Sequence, residues 1–109
     1  MSKKIKKIYL SAPISGYDLK ERYETFENME KELTKQGYSV LNPMKNGLPV
    51  ESPTAQHMKR DIIMLLQADA IFLMQNWNKS AGCITELHVA TACGLDVLFE
   101  GIQIVSLNK

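Results

Sequence analysis

Five apolar residues follow one another in Ala70-Ile71-Phe72-Leu73-Met74, framed by Asp69 and Gln75. A short run without alternation fits a strand covered on both faces, as in parallel sheets. Parallel neighbours cannot be joined by a tight turn. They need crossovers of a dozen or more residues, usually helices. The rest of the chain supplies both parts. Lys4 to Leu10 reads as a first strand, Tyr38-Ser39-Val40-Leu41 as a second, Asp96 to Phe99 as a fourth and Ile102 to Val105 as a short fifth. Between the first two, Leu19, Tyr23, Phe26, Met29 and Leu33 recur at helical spacing, with Asp18 as N-cap and Gly37 as C-cap. A second helix is expected from Thr54 to Gln67, and a third opens at Ser80 and ends at Gly94. The pattern predicts an α/β domain with right-handed crossovers. The segment from Met44 to Pro53, with Gly47 and Pro49, reads as a flexible loop.

A length of 109 residues predicts one domain spanning 1–109. Apolar residues make up 45% and charged residues 23%, which excludes a disordered or fibrous chain. A net charge of +1 gives no electrostatic reason to expect a nucleic acid polymer or a membrane as partner. Lys3, Lys4, Lys6 and Lys7 read as a solvated flank of the first strand. Ile8-Tyr9-Leu10 is too short for a signal-peptide core. Cys83 and Cys93 stand ten apart without a C-x-x-C, and only His57 and His88 could join them. Reduced thiols, a cytoplasmic location and no metal or other cofactor are expected.

Open parallel sheets bind ligands beyond the carboxyl ends of their strands. That rule selects the loop from Ser11 to Gly16 and the loop from Asn76 to Gly82. At the start of the third helix, Ser80-Ala81-Gly82 offers unpaired amides and a partial positive charge for an anion, or simply a helix cap. Glu86 lies further along that helix. The helix dipole favours its ionised form, and a depressed pKa would suit a nucleophile; the alternative is a solvent-exposed glutamate. Asp61 falls within an apolar row between Met58 and Leu65. Partial burial would raise its pKa, as a general acid requires, unless it pairs with Arg60 or Lys59. Tyr9 is a core aromatic by default. Trp77 could stack on a base or cover the sheet end. Asp69 is expected to cap the helix-to-strand junction.

Three ordered stretches carry a resemblance: Ile8 to Gly16; Arg60-Asp61-Ile62 running to Leu66-Gln67-Ala68-Asp69-Ala70; and Trp77-Asn78-Lys79-Ser80-Ala81-Gly82 followed by Glu86. Together they resemble the nucleoside 2-deoxyribosyltransferase superfamily, in particular a small bacterial and phage branch, with similarity also to the 2′-deoxynucleoside 5′-phosphate N-hydrolases. The resemblance implies a three-layer Rossmann/flavodoxin-like fold with a four- to five-stranded, mainly parallel sheet. It implies that Glu86 attacks the anomeric carbon, that Asp61 handles the leaving base and that Tyr9 positions the nucleophile. Ser80 and Gly82 would hold a 5′-phosphate. Ser11, Pro13, Ile14 and Gly16 would line the sugar and base pocket, and Trp77 would join the substrate contacts. A homo-oligomer acting on a small-molecule nucleoside or nucleotide is implied as well.

The function expected is cleavage or transfer of the N-glycosidic bond of a deoxyribonucleotide or deoxyribonucleoside through a glycosyl-enzyme on Glu86. The alternative is a catalytically silent nucleotide-binding or sensing module. Ile84 motivates it, because hydrolase members often carry a glycine at that place.

Overall fold

The computed structural model describes residues 4–101. Strand β1 (Lys7–Ser11) is followed by α1 (Leu19–Lys35), β2 (Ser39–Leu41), α2 (Thr54–Leu66), β3 (Ala70–Leu73), α3 (Ala81–Ala92) and β4 (Asp96–Phe99). Single 3₁₀ turns at Pro43–Lys45 and Trp77–Lys79 precede α2 and α3. All four strands are parallel, in the order β2-β1-β3-β4. The chain steps outward from β1 to β2, crosses back to β3 on the other side of β1, and continues outward to β4. The switch of direction lies between β1 and β3, where an open sheet of this kind forms its ligand crevice. The expected fifth strand, Ile102 to Val105, lies outside the described residues.

Strand parity assigns the layers. Ile8, Leu10, Ala70, Phe72 and Leu98 face α1, whose Phe26 and Leu33 close that half of the core. Tyr9, Ile71 and Leu73 face the other way, toward Leu65 of α2 and Ala90 of α3. The alternation is the period of two that a strand imposes on its side chains. Tyr9 and Ser11 have the same parity, and the α3 carboxylate that both hydroxyls reach lies on the α2/α3 side.

Strand β1 begins later than the apolar pattern suggested. Asp69 Oδ2 accepts from the amides of Lys6 and Lys7, each at 2.9 Å, so the entry to β1 is tied to the α2–β3 junction. Ile5 is buried but precedes the ladder. Helix α1 is capped by Asp18, which accepts from the Glu21 amide at 2.9 Å. Its stripe is only half used. Phe26 and Leu33 are buried, whereas Leu19 and Tyr23 are exposed. Leu19 instead borders the cleft that opens beyond the strand ends. No helix among the described residues is long and apolar enough to cross a membrane.

Two adjacent leucines report on how α2 is seated. Leu65 is fully buried and Leu66 is 50% exposed. Leu65→Ala should lower the unfolding free energy by about 2–5 kcal/mol. Leu66→Ala should change it by no more than about 0.5 kcal/mol. Urea unfolding of both variants checks this; equal losses would mean that α2 presents another face to the sheet.

Candidate active site

The site is assembled from three elements around the carboxyl end of β1. Tyr9 and Ser11 are on the strand itself, with the Tyr9 side chain packed in the α2/α3 layer. Glu86 lies in the second turn of α3, on a helix whose first turn is fixed by Ser80, its Oγ accepting from the Cys83 amide at 3.2 Å. Glu86 is only 6% exposed. Its Oε2 accepts from Tyr9 Oη at 2.8 Å, and its Oε1 accepts from Ser11 Oγ at 2.7 Å. Both oxygens are thus held, and the plane of the carboxylate is set by two donors two residues apart on one strand.

Burial dominates the electrostatics. It pushes the Glu86 carboxyl from an ordinary 4.5 up to about 7, against the pull of the Ser11 and Tyr9 hydrogen bonds, with a smaller upward push from the negative charge of Asp61. The sequence expectation of a depressed pKa is therefore corrected. The helix dipole acts on a group near a helix start, but the cost of desolvating a carboxylate behind the strand ends is larger. The Tyr9 phenol is raised well above its usual value, first by its own burial and then by Glu86. The shift favours the protonated phenol, which is the form that donates to Glu86.

Asp61 reaches the same cleft from α2. It is 8% exposed and accepts from Asn46 Nδ2 at 2.9 Å. Burial raises its carboxyl, while the Asn46 hydrogen bond and nearby His57 oppose the rise. The expected direction holds for this residue. Neither Arg60 nor Lys59 pairs with it; the Arg60 guanidinium donates instead to the backbone oxygen of Asn46 at 3.0 Å.

A cleft of about 720 Å³ lies between these groups, a size ordinary for small-molecule sites. Asp61, Glu86, Pro13, Ile14, Ser80 and Gly82 line it together. Ser11 and Tyr9 are not among the lining residues; both hold Glu86 by hydrogen bonds. Gly82 also lies close to α2: an added Cβ would meet Met58 Cε at 3.2 Å, and the methionine end would have to shift slightly. Gly16 is outside the lining and turns the first loop with a φ of +85°. Lys79 brings a cation to the α3 end of the cleft.

Trp77 is elsewhere. Its ring packs against Phe99, with centroids 5.9 Å apart, in a smaller hollow at the ends of β3 and β4. Of the two placements the sequence left open, this contact is the one that covers the sheet end. Asn46 and His57 both line the cleft. The sequence does not mark Asn46 as a site residue, because it belongs to a segment that reads as a flexible loop. In the fold this residue is 8% exposed, and its side chain bridges the loop to α2. The sequence signal available was the pair Asn46-Gly47, which by itself marks only a turn. Among the described residues, no group of three or more His, Cys, Asp or Glu side chains could hold a metal ion.

A family model described as a domain of unknown function (DUF4406) matches residues 6–99. The chain belongs to that family. No curated protein matches it. Solved structures do. A 2-deoxyribosyltransferase from the psychrotolerant bacterium Bacillus psychrosaccharolyticus superposes with a TM-score of 0.66 and 25% identity, over 93% of this chain and 79% of that one. A 2-desoxiribosyltransferase from Leishmania mexicana gives 0.65 and 23% identity, over 86% of this chain and 63% of that one. A CMP N-glycosidase from Clostridium botulinum gives 0.61 and 20% identity, over 93% and 77%. This DUF4406 chain therefore shares its parallel α/β fold with 2-deoxyribosyltransferases and an N-glycosidase.

The Glu86 carboxyl links stability to pH. Between about pH 4.5 and 7 the unfolded chain has released this proton while the folded chain keeps it. Stability must then fall as pH rises through that window and level off above it. At about 1.4 kcal/mol per pH unit, the loss attributable to Glu86 amounts to about 3 kcal/mol. Urea unfolding of wild type and Glu86→Gln from pH 4.5 to 8 should show the wild type losing that much relative to the variant. A constant difference would contradict the buried, proton-retaining carboxyl.

Proposed function

We propose that this chain breaks the N-glycosidic bond of a 2′-deoxyribonucleotide or deoxyribonucleoside, passing the sugar to water or to a second base through a covalent glycosyl-enzyme on Glu86. The observation that carries the reading is a buried carboxylate, oriented by two hydroxyl donors, facing the same cleft as a second buried carboxyl. Such a pair can divide the work of displacement and proton transfer. The 2-deoxyribosyltransferase and N-glycosidase structures sharing the fold support the same class of chemistry.

In the first step a Glu86 oxygen bonds to C1′ as the C1′–N bond breaks. The bonding pair leaves with the base, which takes a proton from Asp61. In the second step water attacks C1′, gives its proton to Asp61 and releases Glu86; a second base can take the place of water. Tyr9 and Ser11 keep the carboxylate plane fixed through both steps, which limits the reorganisation that a free glutamate would undergo. The N-terminus of α3, with Ser80, Gly82 and Lys79, offers a 5′-phosphate its amides and a positive charge.

The reactive form carries one proton on Asp61 and none on Glu86. That form is lost when Asp61 gives up its proton or Glu86 takes one up, so kcat/KM should be bell-shaped in pH. We place the protein in the cytoplasm as a homo-oligomer, with a small-molecule partner.

Incubation with deoxynucleoside 5′-monophosphates and deoxynucleosides, followed by chromatography for free base, tests the reading. Wild type should release base. Glu86→Gln should lose at least about 10³-fold in kcat. Asp61→Asn should lose about 10²–10⁴-fold, and Tyr9→Phe about tenfold. Nucleotide-dependent thermal stabilisation without base release would support the binding-module reading instead.

A further inference from the structure

Asn46 is 8% exposed, and each of its polar side-chain atoms is engaged. The Leu48 amide donates to Asn46 Oδ1 at 3.0 Å. A backbone amide can only donate, so the atom it meets is the oxygen, and the other terminal atom is the nitrogen. That nitrogen, Nδ2, lies 2.9 Å from Asp61 Oδ1 and 3.0 Å from His57 Nδ1. It has two hydrogens, one for each. His57 Nδ1 must therefore accept, which places the imidazole proton on Nε2.

The two recipients are four residues apart on α2, so they share a face of the helix, and both line the cleft. Asp61 Oδ2 has no hydrogen-bond partner among the described residues. The bridging residue is itself braced. Arg60 donates to its backbone oxygen at 3.0 Å, and Gly47 turns the chain away at a φ of +87°. An added Cβ at Gly47 would lie 3.5 Å from Arg60 Nη1.

We infer that Asn46 is a positioning residue whose single amide fixes the orientation of Asp61 and the tautomer of His57, so that a free carboxyl oxygen and an N–H donor are offered side by side to the base of the substrate. The inference rests on the reading of Asp61 as the group that meets the leaving base. It adds a specificity element: the base should present an acceptor to His57 Nε2–H next to the nitrogen that is protonated on departure.

The test follows the carboxyl ¹³C signal of Asp61, assigned with Asp61→Asn, and the imidazole ¹⁵N signals of His57. Both are recorded across pH in wild type, Asn46→Ala and the isosteric Asn46→Asp. Loss of a donor to the ionised carboxylate should raise the Asp61 midpoint by about one pH unit, a tenfold change in proton affinity. In Asn46→Asp the new carboxylate should draw a proton onto His57 Nδ1, whereas the neutral wild-type imidazole should carry its proton on Nε2. In both variants kcat should fall about tenfold or more with a smaller change in KM. A purely structural role would loosen the loop and admit water, moving the Asp61 midpoint down. An unchanged or lowered midpoint in Asn46→Ala, or a neutral wild-type imidazole carrying its proton on Nδ1, would overturn the inference. Absence of base release by wild type would count against the N-glycosidic reading, and the titrations would still decide the role of Asn46.

Discussion

The arrangement depends on one buried carboxylate and the two hydroxyls that hold it. Glu86 is removed from water behind the strand ends, where an isolated charge would be costly. Tyr9 and Ser11 make that position tolerable, one donor on each oxygen. They can do so because they stand two residues apart on β1 and therefore share a face of the sheet. A shift of β1 by one residue would send both hydroxyls to the α1 side and leave the carboxylate without partners. Register, sheet order and site are thus a single constraint. The tie between Asp69 and the start of β1, which joins the strand to the α2–β3 junction, serves the same end.

The parallel sheet brings the second carboxyl to the first. With β3 inserted beside β1, α2 and α3 pack on the same face, and residues from both open onto the crevice beyond the strands. The start of α3 lies against the Met58 side chain of α2 at Gly82. Asp61 and Glu86 are therefore presented to one cleft by rigid elements rather than by loops, which suits chemistry that requires a fixed distance between two groups.

Much of this was legible in the residues. The unbroken apolar run at Ala70 to Met74 pointed to a buried parallel strand, and Asp18 and Ser80 were readable as helix caps. An acid within the apolar row of α2 signalled a buried carboxyl at Asp61. Other features depend on distances that no local pattern encodes. Near a helix start the dipole argues for an acidic Glu86, and only the fold reveals how completely that residue is desolvated. Asn46 carries the ordinary marks of a turn, so its bridge to Asp61 and His57 appears only when the loop is laid against α2. Trp77 left two readings open, a base-stacking ring or a cover for the sheet end; its contact with Phe99 at the end of β4 depends on a packing that no local pattern encodes.

The most direct measurement concerns the atom to which the sugar becomes attached. A deoxynucleotide with a fluorine at C2′ slows breakdown of a glycosyl ester by disfavouring positive charge at C1′. After incubation with such an analogue and an acid quench, intact-protein and peptide mass spectrometry should find one sugar phosphate per chain, on the peptide containing Glu86. Glu86→Gln should carry none. Release of base from the natural substrate with the modification on a different side chain, or with no modification of wild type at all, would contradict the assignment of Glu86 as the nucleophile.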